Sequence, residues 1–269
     1  AGDPEEPTPV MDSNLVPGDI YVVPYNNVSA LEAMFEKNAS KIACYIVEPV
    51  LENLAIILPD AGYLERVREL CDEYNVILIF DEVKTGLTAG AHGASVRLGV
   101  EPDLITLAKS IGGGVPLAAF GGKKKYMDFV TNGKMAHFGT FNGNPLAMAG
   151  VRAIDRLCTD EALAAAEALN QQALDRISEI IDEYQLPAHT VGFGVKGCVT
   201  WSTTPVRNYR DYKATDFGIA EAHWLFALNR GIITPPGLDE QWLISLAHGQ
   251  TEIDLLVEDF REFAKALRS

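Results

Sequence analysis

The sequence predicts a layered α/β domain followed by a smaller α+β domain, and three observations support this fold class. Short apolar runs alternate with amphipathic helical patterns through the first half of the chain. Polar residues directly follow several of these runs. From Asn144 onward the pattern changes to Ala-rich helices separated by short strands. Alternating strands and helices are typical of a mostly parallel sheet. We therefore predict two domains, at residues 1–155 and 156–269.

The elements of the first domain follow from local periodicity. A continuous apolar run is typical of a strand buried on both faces of a parallel sheet. Apolar residues spaced three or four positions apart are typical of a helix. These patterns predict strands at 19–25, 42–47, 76–80, 104–107 and 117–120, with helices at 29–38 and 64–74.

A long helix joins the two predicted domains, and the pattern of the second domain is mainly helical. Apolar stripes at helical spacing alternate here with short runs rich in β-branched and aromatic residues, which favour strands. Helices are predicted at 145–157, 160–184, 216–229 and 252–267, and strands at 195–201, 232–234 and 242–247.

Composition excludes several classes of partner. The 269 residues are 48% hydrophobic, and 37 acidic against 22 basic residues give a net charge of −15. Such a charge repels nucleic acid and anionic membranes, and we expect neither as a partner. Four separated cysteines lack the spacing of a metal site, and Cys44 and Cys71 fit apolar patterns as reduced core residues. With no membrane-length apolar run and no signal-peptide pattern, we expect a cytoplasmic protein.

Three charged residues stand at or just past the ends of predicted strands: Glu48, Asp81 and Lys109. Ligands of open parallel sheets bind outside the carboxyl ends of the strands, so these side chains are expected to face one crevice. For Asp81 alone, a helix cap or a structural ion pair is the alternative. For Lys109 alone, the alternative is a surface lysine beside the glycine turn Gly112–Gly114.

The chemistry of the two residues is complementary. A carboxylate at a buried strand end needs a cation or good donors, and it suits a protonated ring nitrogen. A lysine leaving a buried strand suits imine formation when its amine is partly desolvated. Together, Asp81 and Lys109 therefore favour a cofactor site over two unrelated surface groups.

Several segments together resemble class III, fold-type I, pyridoxal-phosphate aminotransferases, particularly the glutamate-1-semialdehyde aminomutase branch. The resemblance implies a fold-type I large domain, here incomplete, plus the small C-terminal domain. It also implies pyridoxal 5′-phosphate as cofactor, and transfer of an amino group between an amino acid or amine and a keto acid. The segments are YIVEPV (45–50), IFDEVKTG (79–86), GVEPD (99–103), LAKSIGGGVP (107–116), FGTFNGNPLAM (138–148) and ISLAH (244–248).

The resemblance also implies the roles of the residues nearest the cofactor ring. Asp81 is expected to bind the pyridine nitrogen, and Val83 to pack on the ring face. Lys109 is expected to form the internal aldimine, a Schiff base, and to move the proton between substrate Cα and cofactor. Glu48 is expected in the same cluster, and Asn53 near the phenolic oxygen of the cofactor.

Other roles implied by the resemblance concern the phosphate and the substrate. Thr140, directly after Gly139, matches the threonine that reaches the cofactor phosphate of a partner subunit, which implies a homodimer. From the residues alone, a turn hydroxyl is the alternative for Thr140. Glu240 matches a glutamate near the substrate, although a solvated loop acid is an equal alternative. His137, close to the Gly139–Thr140 loop, is a second candidate substrate residue, with a surface or packing histidine as the alternative.

The sequence departs from the family in two respects. Family members carry a longer N-terminal region, with a phosphate-binding loop and a ring-stacking aromatic residue. Neither is found here, so we expect a partner or a missing segment to supply them. Leu87-Thr88 and 136–138 differ from the aminomutase branch, which favours an ordinary aminotransferase. An aminomutase and a non-catalytic fragment or subunit of such an enzyme stay as alternatives.

Overall fold

A computed structural model describes residues 20–235 and 241–269, and the chain forms two compact units. The first unit contains the described residues up to 50, with 59–87 and 91–159. The second contains 51–58, 88–90 and 160–269. The last change between the units falls between residues 159 and 160, and the predicted domain boundary at residue 155 stays a prediction. Two short segments of the first half, 51–58 and 88–90, belong to the second unit. A single boundary along the chain therefore does not separate the two units.

The first unit contains a four-stranded sheet in the order β1-β2-β3-β4. The first three strands are parallel, and β4 runs antiparallel to β3. The register places Val47 beside Phe80 and Asp81 beside Thr106, so the carboxyl ends of the parallel strands lie at one edge. The prediction of a mostly parallel sheet is confirmed. The strands are β1 Cys44–Val47, β2 Ile77–Asp81, β3 Leu104–Ala108 and β4 Ala118–Gly122.

Helices connect these strands, and several begin at the residues that the sequence favours as caps. The Asn27 side chain accepts a hydrogen bond from the Ala30 N–H, and Asn144 caps Ala147 in the same way at 2.9 Å. Such a side-chain acceptor satisfies one of the free N–H groups of a first helical turn. The helices are α1 Val28–Asn38, α2 Tyr63–Glu73, α3 Gly93–Leu98, α4 Lys124–Thr131 and α5 Pro145–Leu157, with 3₁₀ turns at Ala39–Lys41 and Lys109–Gly112.

The second unit combines a three-stranded antiparallel sheet with helices, as an α+β domain requires. Its core includes Ile177, Ile180, Phe260 and Trp201, all nearly inaccessible to solvent. Within residues 20–235 and 241–269, no helix combines the length and apolar character needed to cross a membrane. The elements are α6 Asp160–Glu183, β5 His189–Phe193, β6 Lys196–Thr200, α7 Tyr209–Lys213, α8 Phe217–Asn229, β7 Trp242–Leu243 and α9 Gln250–Arg268.

Three predicted strands are wrong in whole or in part. Residues 20–25, the described part of 19–25, form no strand, because the chain turns at Asn26 with φ 60°. Residues 232–234 form none either, and the Thr234 carbonyl accepts the Trp224 indole N–H instead. Strand 242–247 ends at Leu243, since the chain then turns. Strand β5 was missed because glycine and polar residues weaken its apolar pattern.

The burial of β1 also differs from the prediction. Cys44 is exposed and the Ile46 side chain is 59% exposed, although the apolar run predicted burial on both faces. The physical reason is alternation along the strand, since Cys44 and Ile46 share a face that is only partly covered, as their half-buried partners Ile77 and Ile79 also show. Cys71, on α2, is fully buried as predicted. An apolar run therefore identified the strand correctly but not its exposure.

Candidate active site

Asp81 is the last residue of β2, and its half-buried side chain lies at the carboxyl edge of the sheet. Its Oδ1 accepts hydrogen bonds from the Val83 N–H at 3.1 Å and from the Thr106 hydroxyl at 3.2 Å. No donor of the described residues reaches Oδ2. The carboxylate is therefore fixed by one oxygen, and the other oxygen is available to a ligand.

Lys109 directly follows β3, and its backbone conformation is unusual. Its φ of 54° lies in the left-handed region, which costs a non-glycine residue about 1–3 kcal/mol and often occurs at functional sites. The side chain is exposed, and within the described ranges its amine has no hydrogen-bond or ion-pair partner. Because Thr106 of the same strand lies opposite Asp81, Lys109 leaves the sheet at the edge where Asp81 lies.

The glycine turn after Lys109 packs closely against α5. A Cβ added to Gly150 would lie 2.6 Å from the carbonyl oxygen of Gly112. A Cβ on Gly113, which has φ 58°, would lie 3.1 Å from the Ile154 side chain. Such distances leave no room for a side chain at Gly150, so the glycines permit close packing between two parts of the chain. The turn thereby fixes the backbone that presents Lys109.

Glu48 comes directly after β1, at the same edge of the sheet. Val47 pairs with Phe80, so Glu48 and Asp81 leave neighbouring strands at the same level. Glu48 is half-buried. The sheet therefore brings Glu48, Asp81 and Lys109 to the ends of three consecutive parallel strands.

Tyr25 supports the turn that follows Glu48, and its ring packs edge-on against Tyr63 with centroids 4.9 Å apart. The Tyr25 hydroxyl donates to the Pro49 carbonyl at 2.8 Å, and the hydroxyls of Tyr45 and Tyr63 lie 3.1 Å apart. Burial, followed by the charges of Tyr63 and Glu48, raises the pKa of Tyr25 well above its usual value. The tyrosine hydroxyl therefore stays protonated and keeps its hydrogen bond to the turn at neutral pH.

The loop that contains Gly139 and Thr140 is exposed on the first unit. His137 Nε2 lies 3.3 Å from Asn142 Nδ2, and the His137 ring meets Phe120 edge-on with centroids 5.0 Å apart. Phe138 is 93% exposed. The Thr140 hydroxyl is thus accessible to a ligand outside this chain, while its predicted role at a partner's phosphate stays a prediction.

Two further predicted residues lie elsewhere. Asn53 belongs to the second unit, where it is exposed in a short loop between Leu51 and Ile57. Glu240 lies outside the described residues. The roles predicted for Asn53 and Glu240 stay predictions.

Sequence reasoning missed Thr106, which holds Asp81 in place, and the structural role of Glu82, the residue that follows Asp81. Thr106 stands inside an apolar run, and only its register opposite Asp81 indicates a role. Glu82 is fully buried, and its carboxylate accepts the N–H groups of Ala94 at 2.6 Å and Ser95 at 2.9 Å. Alternation along an extended segment directs neighbouring side chains to opposite faces. The Asp81-Glu82 pair therefore combines one ligand-facing and one structural acid.

Comparison with known proteins identifies the family. The family model for "Aminotransferase class-III" matches residues 12–221. This chain belongs to the class-III aminotransferases. The predicted recognition is confirmed, since the match covers most of the chain.

The class-III chain is similar to curated and solved relatives from several bacteria. A glutamate-1-semialdehyde 2,1-aminomutase of Thermomicrobium roseum is 37% identical over 91% of this chain and 57% of its own length. A β-phenylalanine aminotransferase of Variovorax paradoxus superposes with a TM-score of 0.89 at 29% identity, covering 97% of this chain and 60% of the other. The chain thus spans somewhat more than half the length of these relatives.

A third relative concerns the cofactor. A glutamate-1-semialdehyde aminomutase of Pseudomonas aeruginosa, solved in complex with PMP, superposes with a TM-score of 0.83. It is 26% identical, over 92% of this chain and 56% of the other. These structural neighbours are fold-type I enzymes, so the predicted fold class of this class-III chain is confirmed.

Three side chains of the first unit fit a pyridoxal group. No donor in the described part of the chain reaches Asp81 Oδ2, which can therefore accept from a protonated ring nitrogen. The Lys109 amine has no partner in the same part of the chain, and Thr140 lies in an exposed loop. The residue types and their exposure in this class-III chain therefore suit the cofactor of the family.

Proposed function

We propose that this chain provides the catalytic lysine and aspartate of a pyridoxal-phosphate-dependent aminotransferase. The reaction moves an amino group between an amino acid or amine and a keto acid. One observation supports the proposal most strongly. In a class-III chain, Asp81 and Lys109 leave adjacent parallel strands at the same edge, and within residues 20–235 and 241–269 neither Asp81 Oδ2 nor the Lys109 amine has a partner.

The bound cofactor supplies an electron sink for the bonds at the substrate Cα. Asp81 would keep the ring nitrogen protonated, because a carboxylate next to a protonated nitrogen favours its charged form. Lys109 would hold the cofactor through its amine, and the free amine would act as the base that moves the proton at the substrate Cα. Val83 would pack against the ring face, and Glu48 lies beside the same strand ends.

The remaining cofactor contacts follow from the family. Asn53 approaches the phenolic oxygen, and Gly139 with Thr140 binds the phosphate of the partner subunit. A homodimer is therefore part of the proposal. His137 and Glu240 are proposed to contact the substrate, His137 from the exposed loop before Thr140.

A second candidate is an aminomutase that moves the amino group within one substrate. Its support is specific, since the aminomutase of Thermomicrobium roseum is 37% identical to this chain. The two candidates differ in their need for a second substrate. Turnover that requires an external keto acid supports the aminotransferase, while isomerisation without one supports the aminomutase.

The test is covalent trapping of the cofactor. The protein, purified as it occurs in its source, is incubated with pyridoxal phosphate, reduced with borohydride and analysed by peptide mapping. We expect a near-visible absorption band before reduction and a stable adduct on the peptide that contains Lys109. Attachment makes that amine the anchor of the cofactor.

Two variants control this experiment. Lys109→Ala is expected to lose the adduct, while Lys134→Ala, at another lysine of the first unit, is expected to keep it. An adduct on several lysines in proportion to their exposure, or none at all, would overturn the proposal. The chain would then be a non-catalytic member of its family.

A further inference from the structure

The loop that contains Asn53 has a defined conformation within the second unit. Leu51 and Ile57 exchange two backbone hydrogen bonds of 3.1 and 2.9 Å, which close the loop at its base. Ala55 adopts a φ of 59°, in the left-handed region. Asn53 is exposed, whereas its neighbour Glu52 is completely buried. The loop thus directs one polar side chain outward and one inward.

The inward side chain forms a buried ion pair. The Glu52 carboxylate contacts the Lys196 amine, and the two side chains are 0% and 7% exposed. Lys196 is the first residue of β6, in the centre of the three-stranded sheet. A buried ion pair gives little net stability, but removing one partner leaves an uncompensated charge. The pair therefore acts mainly by fixing the position of Glu52 relative to β6.

Gln241 holds the same loop through its backbone. Its side-chain amide donates to the carbonyl of Glu52 at 2.6 Å and also to the carbonyl of Ala55. These two carbonyls lie on either side of Asn53. Gln241 is buried and directly precedes β7, which pairs with β6.

The sheet fixes the positions of Lys196 and Gln241 through one further residue. The Asn170 amide donates to the Lys196 carbonyl at 2.8 Å, and its oxygen accepts the Trp242 indole N–H at 2.7 Å. Asn170, on α6, thereby joins the start of β6 to β7. The two groups that hold the loop are fixed independently of the loop itself.

We propose that Glu52, Lys196 and Gln241, here termed the loop clamp, position Asn53 for binding of the cofactor. The inference rests on the proposed function, because the role of Asn53 is taken from that proposal. None of the three residues touches the cofactor in this view, so they are positioning residues. Without the ion pair and the two amide contacts, the strained turn at Ala55 relaxes and Asn53 loses its orientation.

The experiment measures cofactor affinity by titrating each purified variant with pyridoxal phosphate and following the visible absorption. Lys196→Met is expected to weaken binding on the order of tenfold to hundredfold, as small misplacements of a binding group do. Lys196→Arg is expected to restore most of the affinity. Asn53→Ala is expected to weaken binding to the same extent as Lys196→Met.

A double variant separates positioning from general stability. If the clamp acts through Asn53, combining Lys196→Met with Asn53→Ala adds nothing to the single effects, since coupled residues are not additive. The control is Arg230→Met, which breaks another ion pair of the second unit, to the buried Asp259. That variant is expected to lose thermal stability but to keep cofactor affinity.

Two outcomes overturn the inference. One is a Lys196→Met variant with unchanged affinity, and the other is additive effects of Lys196→Met and Asn53→Ala. If Lys196→Met does not fold, the charge-free pair Glu52→Leu with Lys196→Met gives the same comparison without a stranded charge. Failure of the unaltered protein to attach the cofactor overturns the proposed function, and this inference with it. If the unaltered protein and the variants all attach the cofactor and bind it with equal affinity, this inference alone is overturned.

Discussion

Charged residues at the two ends of the parallel sheet in the first unit differ in how far the protein fills their hydrogen-bonding positions. At the carboxyl end, Asp81 uses one oxygen for two hydrogen bonds, and Lys109 has no partner within the described ranges. At the amino end, Asp103, just before β3, is 3% exposed and surrounded by donors. Among the described residues, Asp81 and Lys109 at one end of the sheet therefore keep unfilled hydrogen-bonding positions, whereas Asp103 at the other end is surrounded by donors.

Asp103 is a carboxylate whose oxygens are filled by donors of the protein. It accepts the Leu78 N–H at 2.9 Å, and it forms ion pairs of 3.0 Å with both Arg68 and Lys123. Burial acts to raise the pKa of Asp103, but the Leu78 N–H, Lys123 and Arg68 outweigh it and lower the pKa below its usual value. These contacts join α2, β2, β3 and the segment after β4.

The difference separates structural from functional charges. A buried carboxylate whose acceptors are filled by the protein stabilises the fold. A carboxylate with an unfilled acceptor position lowers the stability of the fold. Such a group is expected where a ligand binds. Substitutions at the two ends are therefore expected to affect different properties.

The largest effect is expected from Asp81→Asn. An amide cannot keep a ring nitrogen protonated, and loss of one such electrostatic contact costs about 10²–10³-fold in turnover. Thermal stability is expected to stay unchanged or to rise, because an unsatisfied charge is removed. The measurement pairs transamination kinetics with a melting curve, and a large fall in melting temperature would contradict the comparison.

Asp103→Asn is expected to give the opposite result. Loss of the charge weakens three contacts, and hydrogen bonds to charged groups contribute about 1.5–3 kcal/mol each at most. We expect a loss of about 2–3 kcal/mol in the free energy of unfolding, with turnover unchanged at temperatures where the variant is folded. Urea denaturation measures the first quantity. A loss of turnover without a loss of stability would show that Asp103 acts in the reaction rather than in the fold.

How far the sequence predicts this fold depends on whether the deciding contacts are local. The strands that end at Asp81 and Ala108, and most helices, were predicted because periodicity records which faces are buried. The exposure of Ile46 was not predicted, since it depends on which parts of the chain pack on that face of the sheet. The strand predicted at 232–234 is absent because Trp224 binds a carbonyl that a neighbouring strand would need.

In the candidate site, too, the features that depend on local sequence were predicted and the contacts between distant residues were not. The sequence predicted that Glu48, Asp81 and Lys109 stand at strand ends, because each follows an apolar run directly. It did not predict that Thr106 orients Asp81, since that contact depends on the register between two strands. The Glu52–Lys196 pair was also missed, because its members are separated by most of the chain.

A smaller effect is expected from Thr106→Val. The substitution keeps the shape of the side chain but removes the hydroxyl that donates to Asp81 Oδ1. We expect turnover to fall about fivefold to tenfold, near 1–1.4 kcal/mol, because Asp81 keeps its hydrogen bond from Val83. Thr131→Val is the control, since that hydroxyl donates only to a carbonyl on the exposed surface of α4. Equal effects of the two valine variants would exclude an orienting role for Thr106.

The smallest effect is expected in the pH dependence of stability. Because the pKa of Asp103 is lower in the folded than in the unfolded chain, its contribution is complete above the ordinary value of 3.8 and is lost as the pH falls further. One group changes the free energy of unfolding by at most about 1.4 kcal/mol per pH unit. Asp103→Asn is therefore expected to flatten the acid limb of the stability curve, measured by urea denaturation from neutral to acid pH.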